Sequence, residues 1–371
     1  MSGGAKRRHS SYVPSLTKIL TLIMAIASNL HLNYLNVNLN VNILVLVLAA
    51  SLDYLLGDPV NWLHPVQVIG WAIAQFTNGV MMEDPQSNQR IPLFTPLVMK
   101  FLGAILAISI IWGSGIAIWL TAIALSQVQP LLAIAFSSIL LAACFAGRSL
   151  RDAAESVLAV LQIDNLDMAR QELSRYVGRD TNNLSEGEIL RAVLETVTEN
   201  AIDAVTAPLF YALLGSMLFD YGGVTLAIAY KAASTLDSMV GYRESPYTDL
   251  GWFSAKTDDV LTWLPCRLTV LTLALLSRKP VYVWQICQRD ANQDPSPNSG
   301  WSECVYAAIL QVQLGGANYY RGILKQKPLL GEPIEPISPS KIAQALKLTR
   351  ICFLLWVSAF ISIMAISISK Y

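Results

Sequence analysis

The sequence predicts an all-α, polytopic integral membrane protein with broken or re-entrant apolar segments and a polar cytoplasmic helical insertion. Three observations lead there. Hydrophobic residues make up 54% of the 371 positions and charged residues 14%, with a mean hydropathy of +0.46, a balance unusual for a water-soluble globule. "FLGAILAISIIWGSGIAIWLTAIAL", Phe101 to Leu125, is long enough at about 1.5 Å per residue to cross a hydrocarbon core of roughly 30 Å. From Gly147 to Asp203 the chain turns charged, and "GRSLRDAAESVLAVL" and "NLDMARQELSRYV" carry apolar residues at helical spacing.

The elements follow in order. "KRRH" precedes a modest apolar stretch, Leu16 to Leu30, and the basic start argues for a cytoplasmic N-terminus. The rival reading makes Lys6 to Ala27 a signal peptide with a small-residue site at "AIA". After the asparagine-alternating "NYLNVNLNVN", a second apolar run covers Ile43 to Leu56. Residues 1–41 therefore read as an arm, and 42–371 as one membrane-embedded unit.

Beyond the Phe101 span, Pro130 punctuates a return through Leu131 to Ala146, which puts the His64 loop and the segment starting at Gly147 on one face of the membrane. The arginines of the 147–203 insertion place that face in the cytoplasm. Ala204 to Tyr230 is apolar but broken by "FDYGG", as in a hairpin or re-entrant segment, and Val260 to Leu276 is interrupted by Pro265 and Arg267. Residues 277–349 are polar and rich in Pro and Gly, a loop region outside the hydrocarbon. Ile351 to Ser367, between Arg350 and Lys370, makes a C-terminal apolar helix.

Several function classes fall away. Formal net charge is +0 and no long basic run occurs, so nucleic acid is a poor partner. The five cysteines are scattered without a C-x-x-C pair, which suggests neither a disulfide framework nor a zinc site. Of three histidines two lie in the arm, so a serine triad or histidine metal cluster would rest on His64 alone.

The chemistry concentrates where polar groups meet apolar runs. In "ETVTENAIDAVTAPLFYALLG", Glu195, Glu199 and Asp203 recur at four-residue spacing on one helical face, with Asn200 beside them. A solvated helix face would explain such a stripe elsewhere, but this one runs into an apolar segment. There, unpaired carboxylates are costly and mark a functional site or a cation, and oxygen donors suit Mg²⁺. "YKAASTLDSMVGYRE" puts Lys231, Ser234 and Ser238 on one face, fit to hold a phosphate, and ends its helix at Gly241. Asp237 cannot pair with Lys231 six residues away along one face, so it either caps the nearby helix end, where the dipole disfavours an acid, or holds a substrate ammonium and takes its proton. Asp258 and Asp259 read either as site acids or as partners of a helix dipole. Arg148 with Asp152 and Arg151 with Glu155 are i,i+4 pairs that could also clamp an anion. Trp301, Tyr319, Tyr320 and Arg321, on turn-rich stretches, could line a flat ligand or anchor at the membrane interface.

These stretches resemble one family, the membrane cobinamide-phosphate synthases of cobalamin biosynthesis, from about Leu52 to Glu332. The motifs are "LLGDPVNWLHPVQVIG", "GRSLRD", "YVGRDTNNLSEGEILRAVLETVTENAIDAVTAPLF", "YKAASTLDSMVGYRESPYTDLGWFSAKTDDVLTWLPCRLT", "PSPNSGW" and "LGGANYYRG". Ala204 stands where glycine is expected in many members. The resemblance implies a ligase that joins aminopropanol phosphate to the free propionate of adenosylcobyric acid with ATP as co-substrate. The partners it implies are these substrates, the bilayer and other membrane enzymes of cobalamin assembly. Within the matching motifs, Asp237 and Lys231 are the expected catalytic pair and Glu195, Glu199 and Asp203 the expected Mg²⁺ ligands. Arg148, Arg243, Asn200, Asn318 and Tyr319 are the expected binders of the ATP and phosphate groups. No G-x-x-x-x-G-K-[ST] loop occurs, so the ATP site is inherited from the resemblance. Alternatives are an ion-coupled transporter, a non-catalytic membrane sensor, and an alcohol phosphotransferase, whose D-G-x-x-A-R signature is missing.

Overall fold

The computed structural model describes residues 41–57, 64–83 and 90–368; residues 1–40 of the arm, with its candidate signal segment, lie outside them. Thirteen α-helices and two short β-ribbons are formed among these residues. Five helical stretches are long and apolar enough to cross a membrane: Pro96–Val128, Pro130–Leu161, Glu186–Leu218, Trp252–Leu276 and Pro339–Ile366. The chain is thus an all-α, multi-pass membrane protein.

Helix α1, Val41–Leu56, precedes α2, Pro65–Val80, whose first turn is capped by the His64 ring accepting from the Val66 amide at 3.2 Å. A small ribbon, β1 Met81–Glu83 with β2 Arg90–Pro92, leads into α3, Pro96–Val128. Proline at the start of both α3 and α4, Pro130–Ala142, opens each helix where its missing N–H costs nothing. The insertion then runs through α5, Gly147–Leu161, and α6, Leu166–Leu173, to α7, Glu186–Ala201, which a Ser185–Glu188 capping box begins. Arg148 packs against Gly57, so the end of α1 and the start of the insertion do share one end of the bundle.

Helix α7 does not stop at the apolar boundary. It passes through one π turn, Ile202–Thr206, into α8, Ala207–Leu218. "FDYGG" makes the hairpin to α9, Gly222–Val240, and Asn42 at the head of α1 ties that turn by donating to the carbonyls of Ser216 and Phe219 at 3.1 and 2.9 Å. Only glycine fits where these helices meet, since a Cβ on Gly215 or Gly222 would overlap the backbone of the other. Central α9 packs against α8, α3, α2, α4 and α10, Trp252–Leu276.

Two expectations are corrected. Helix α10 runs unbroken through Pro265. Proline strips the carbonyl of Leu261 of its helical donor, and the Tyr211 hydroxyl of α8 replaces it at 2.8 Å. A Tyr211→Phe chain should therefore lose about 1–3 kcal/mol of stability, the cost of one buried orphan carbonyl, in thermal unfolding of the solubilised protein. Residues 277–349 are likewise structured, with α11, Pro280–Asp290, α12, Ser299–Leu310, and the ribbon β3 Gln313–Tyr320 with β4 Ile323–Gly331. Its turn residues, Arg321 at φ 52° and Gly322 at φ 76°, give the left-handed pair that a tight hairpin needs. Helix α13, Pro339–Ile368, completes the bundle, and all five cysteines are free and buried.

Candidate active site

Three helices bring acids together at the π turn. Glu199 and Asp203 come from α7 and the turn, Asp237 from α9, and Asp258 and Asp259 from α10. Asp203 lies in the field of Glu199, Asp237 and Asp259, and Asp258 in that of Asp203, Asp237 and Asp259. Lys231 acts on Asp203 and Asp258 with the opposite sign. π turns inside α-helices are found at functional sites because the extra residue re-aims side chains, and this one carries Asp203.

Glu195 does not join this group. It is 1% exposed, ion-paired to the Arg179 guanidinium, and its other oxygen accepts from the Gly315 amide at 2.9 Å. Each oxygen thus accepts from a protein donor, which sets Glu195 apart from the acids around Asp203. Asn318 belongs to the same network, its Oδ1 accepting from Arg179 at 2.9 Å and Arg191 at 3.1 Å. Arg191 also donates to the carbonyls of Gly315 and Ala317, so these contacts clamp the β3–β4 ribbon onto α7.

A second buried pair completes the polar layer. Lys327 of β4 meets Glu303 of α12 at 3.2 Å. Burial pushes the Glu303 carboxyl up to about 8, while Glu303, Glu199 and Glu195 together hold the Lys327 ammonium above its usual range. Glu199 thus stands between the two groups, felt by Asp203 on one side and by Glu303 and Lys327 on the other.

The remaining expected binders are dispersed. Asn200 donates to Thr196 O in its own helix at 2.9 Å, and Arg243 to Pro295 O at 3.0 Å. Tyr319 is exposed on the ribbon, and Arg148 is held by Asp152 at 2.7 Å. Thr235 and Ser238 turn their hydroxyls onto backbone carbonyls of α9. Trp301 is neither ligand platform nor interfacial anchor. It is buried in α12 under the Arg267 guanidinium, 4.4 Å from the ring centroid. Sequence spacing missed Arg179, Glu303, Lys327 and Asn298; the polar "PSPNSGW" motif was the available signal for the last.

Whether the acids suit Mg²⁺ can be tested on bare oxygens. Asp258 Oδ1 and Asn298 Oδ1 are buried without a hydrogen-bond partner, and Asn298 Nδ2 donates to the Asp259 carbonyl at 2.9 Å, so both orphans border one region. Among the described residues, no three His, Cys, Asp or Glu side chains converge tightly enough to hold a metal unaided. That combination fits Mg²⁺ held by one or two carboxylates and completed by substrate phosphates, rather than an all-protein cage.

Fold and site together define a polytopic membrane protein with an acid-rich, lysine-bearing centre built where three helices meet. The family model described as "CobD/Cbib protein" matches residues 46–349, and the chain belongs to this CobD/CbiB family. It is 54% identical over 306 residues, 82% of this chain and 87% of the relative, to the "Cobalamin biosynthesis protein CobD" of a Synechocystis species. It is 38% identical over 304 residues, 80% of this chain and 89% of the relative, to the protein of that name from Halalkalibacterium halodurans. With the "Cobalamin biosynthesis protein CbiB" of Salmonella arizonae the identity is 36% over 301 residues, 80% of this chain and 89% of the relative. No solved structure matches. A role in cobalamin biosynthesis follows.

Proposed function

We propose that the chain is a ligase that joins aminopropanol phosphate to the propionate carboxyl of adenosylcobyric acid, with ATP as co-substrate, to give adenosylcobinamide phosphate on the cytoplasmic side. The observation that carries this reading is the group of Glu199, Asp203, Asp237, Asp258 and Asp259 around Lys231, inside a chain of the cobalamin family.

A carboxylate is a poor acyl donor to amines and must first be activated. In the proposed sequence the propionate oxygen attacks the γ-phosphorus of ATP, ADP leaves, and an acyl phosphate forms. The amine nitrogen then attacks the acyl carbon, the carbon–oxygen bond to phosphate breaks, and inorganic phosphate departs. Asp237 orients the amine and takes its proton, and Lys231 pairs with phosphate oxygens. Mg²⁺, held by Glu199, Asp203 or Asp258 with ATP oxygens, would neutralise charge on the phosphates. The excess of carboxylates over lysine supports that assignment, because uncompensated acids in a low-dielectric bundle need a cation.

The test is turnover by the purified protein. ATP, cobyric acid and aminopropanol phosphate should give the corrinoid amide and one phosphate per amide. No amide, together with acid-dependent ion flux in proteoliposomes, would replace the ligase by a transporter. Glu199→Gln and Asp203→Asn should each raise the Mg²⁺ concentration for half-maximal rate at least about tenfold while helicity by circular dichroism is kept. Unchanged Mg²⁺ dependence in both would remove the metal from these carboxylates.

A further inference from the structure

A cavity of about 390 Å³ between α1, α5 and α13 is lined by none of the acids around Lys231. Its two ends differ in kind. Arg148, Arg151 and Arg350 line one end beside Asp53 and Tyr54, three cations to one acid. The Arg350 guanidinium lies 3.9 Å and that of Arg151 5.5 Å from the centroid of the Tyr54 ring, so both rest against one aromatic. Among the described residues Arg350 makes no ion pair, and Arg151 only reaches Asp152 and Glu155 at 3.9 Å. The lining at this end thus carries net positive charge, while Asp152 and Glu155, outside the lining, face Arg148 and Arg151.

The other end is hydrocarbon. On α13 the lining continues through Leu354 and Val357 to Ile361, and on α1 it continues back to Val47. Eleven residues from Arg350 to Ile361 rise roughly 16 Å along a helix. One leaflet of a hydrocarbon core about 30 Å thick is about the same depth. Val47 and Leu354 are half-exposed, which opens the apolar end sideways towards lipid.

We propose that this cavity binds one anionic glycerophospholipid, its phosphate on Arg151 and Arg350 with Arg148 in reach, and an acyl chain along Leu354, Val357 and Ile361. Guanidinium forks suit phosphate oxygens, and a net positive lining selects a headgroup without its own cation. Val205, in the π turn two residues after Asp203, lines the same cavity, so the lipid braces the segment that carries that acid.

The experiment uses the full chain in detergent, with binding read by native mass spectrometry and by the melting temperature. The probes are dioctanoyl phosphatidylglycerol, dioctanoyl phosphatidylcholine and glycerol 3-phosphate. Phosphatidylglycerol should bind at least tenfold more tightly than phosphatidylcholine and raise the melting temperature, and glycerol 3-phosphate should do neither. Arg151→Gln combined with Arg350→Gln should erase the preference. Leu354→Trp, which fills the apolar end and leaves the arginines, should weaken both lipids and keeps the idea testable if the double variant fails to fold. Equal binding of the two lipids to the unaltered chain would reduce the site to ordinary boundary lipid. Glycerol 3-phosphate binding as tightly as phosphatidylglycerol would make it a site for a soluble phosphate ester; either result overturns the proposal.

Discussion

An Asp237→Asn enzyme given ATP and cobyric acid should accumulate acyl phosphate, trapped by hydroxylamine, yet form amide about 10² to 10⁴ times more slowly. The expectation starts from the carboxylate's surroundings. Asp237 sits in the last turn of α9, where the helix dipole disfavours an acid, and among the described residues no side chain or amide donates to its carboxylate. A group so placed gains nothing for the helix and is left for a ligand. Gly241 leaves room for it, because a Cβ there would overlap the Asp237 carboxylate. Gly241→Ala should therefore reproduce part of the defect by displacing the base. If Asp237→Asn makes no acyl phosphate, the residue serves the ATP step instead.

Removing Glu195 should unfold rather than demetallate. Glu195→Ala leaves the Arg179 guanidinium buried without its anion and the Gly315 amide without its acceptor. Breaking such a pair costs about 3–5 kcal/mol, enough to exhaust much of a typical domain's stability. Thermal or denaturant unfolding should show that loss, with Mg²⁺ dependence unchanged in whatever fraction stays folded. A variant with full stability and a shifted Mg²⁺ requirement would return Glu195 to the metal.

The contrast between Glu195 and Asp203 shows what spacing can and cannot convey. Four-residue recurrence on α7 was readable, and so was its collision with an apolar run. Over the eight residues from Glu195 to Asp203, however, a helix rises roughly 12 Å and rotates about 80° beyond two full turns, so one written stripe serves two clusters. The partners that divide it, Arg179, Gly315, Lys231 and Asp258, come from distant parts of the chain and obey no local rule. Long apolar runs such as α3 and α13 were legible because length alone commits them to the membrane. Residues 277–349 were not, since proline and glycine signal loops in general but here open α11 at Pro280 and shape the bulged ribbon at Gly315 and Gly316.

The Tyr211–Leu261 bond also bears on how the chain is made. Its donor precedes its acceptor by fifty residues, so the tyrosine leaves the ribosome first. By the time Pro265 emerges, the helix able to repair it has already been synthesised, and the bare carbonyl enters the bilayer with its donor made. Exchanging the two, with tyrosine late and proline early, would leave a polar group waiting in hydrocarbon for the rest of translation. The direction of synthesis thereby protects α10, the site helix that carries a proline within its length.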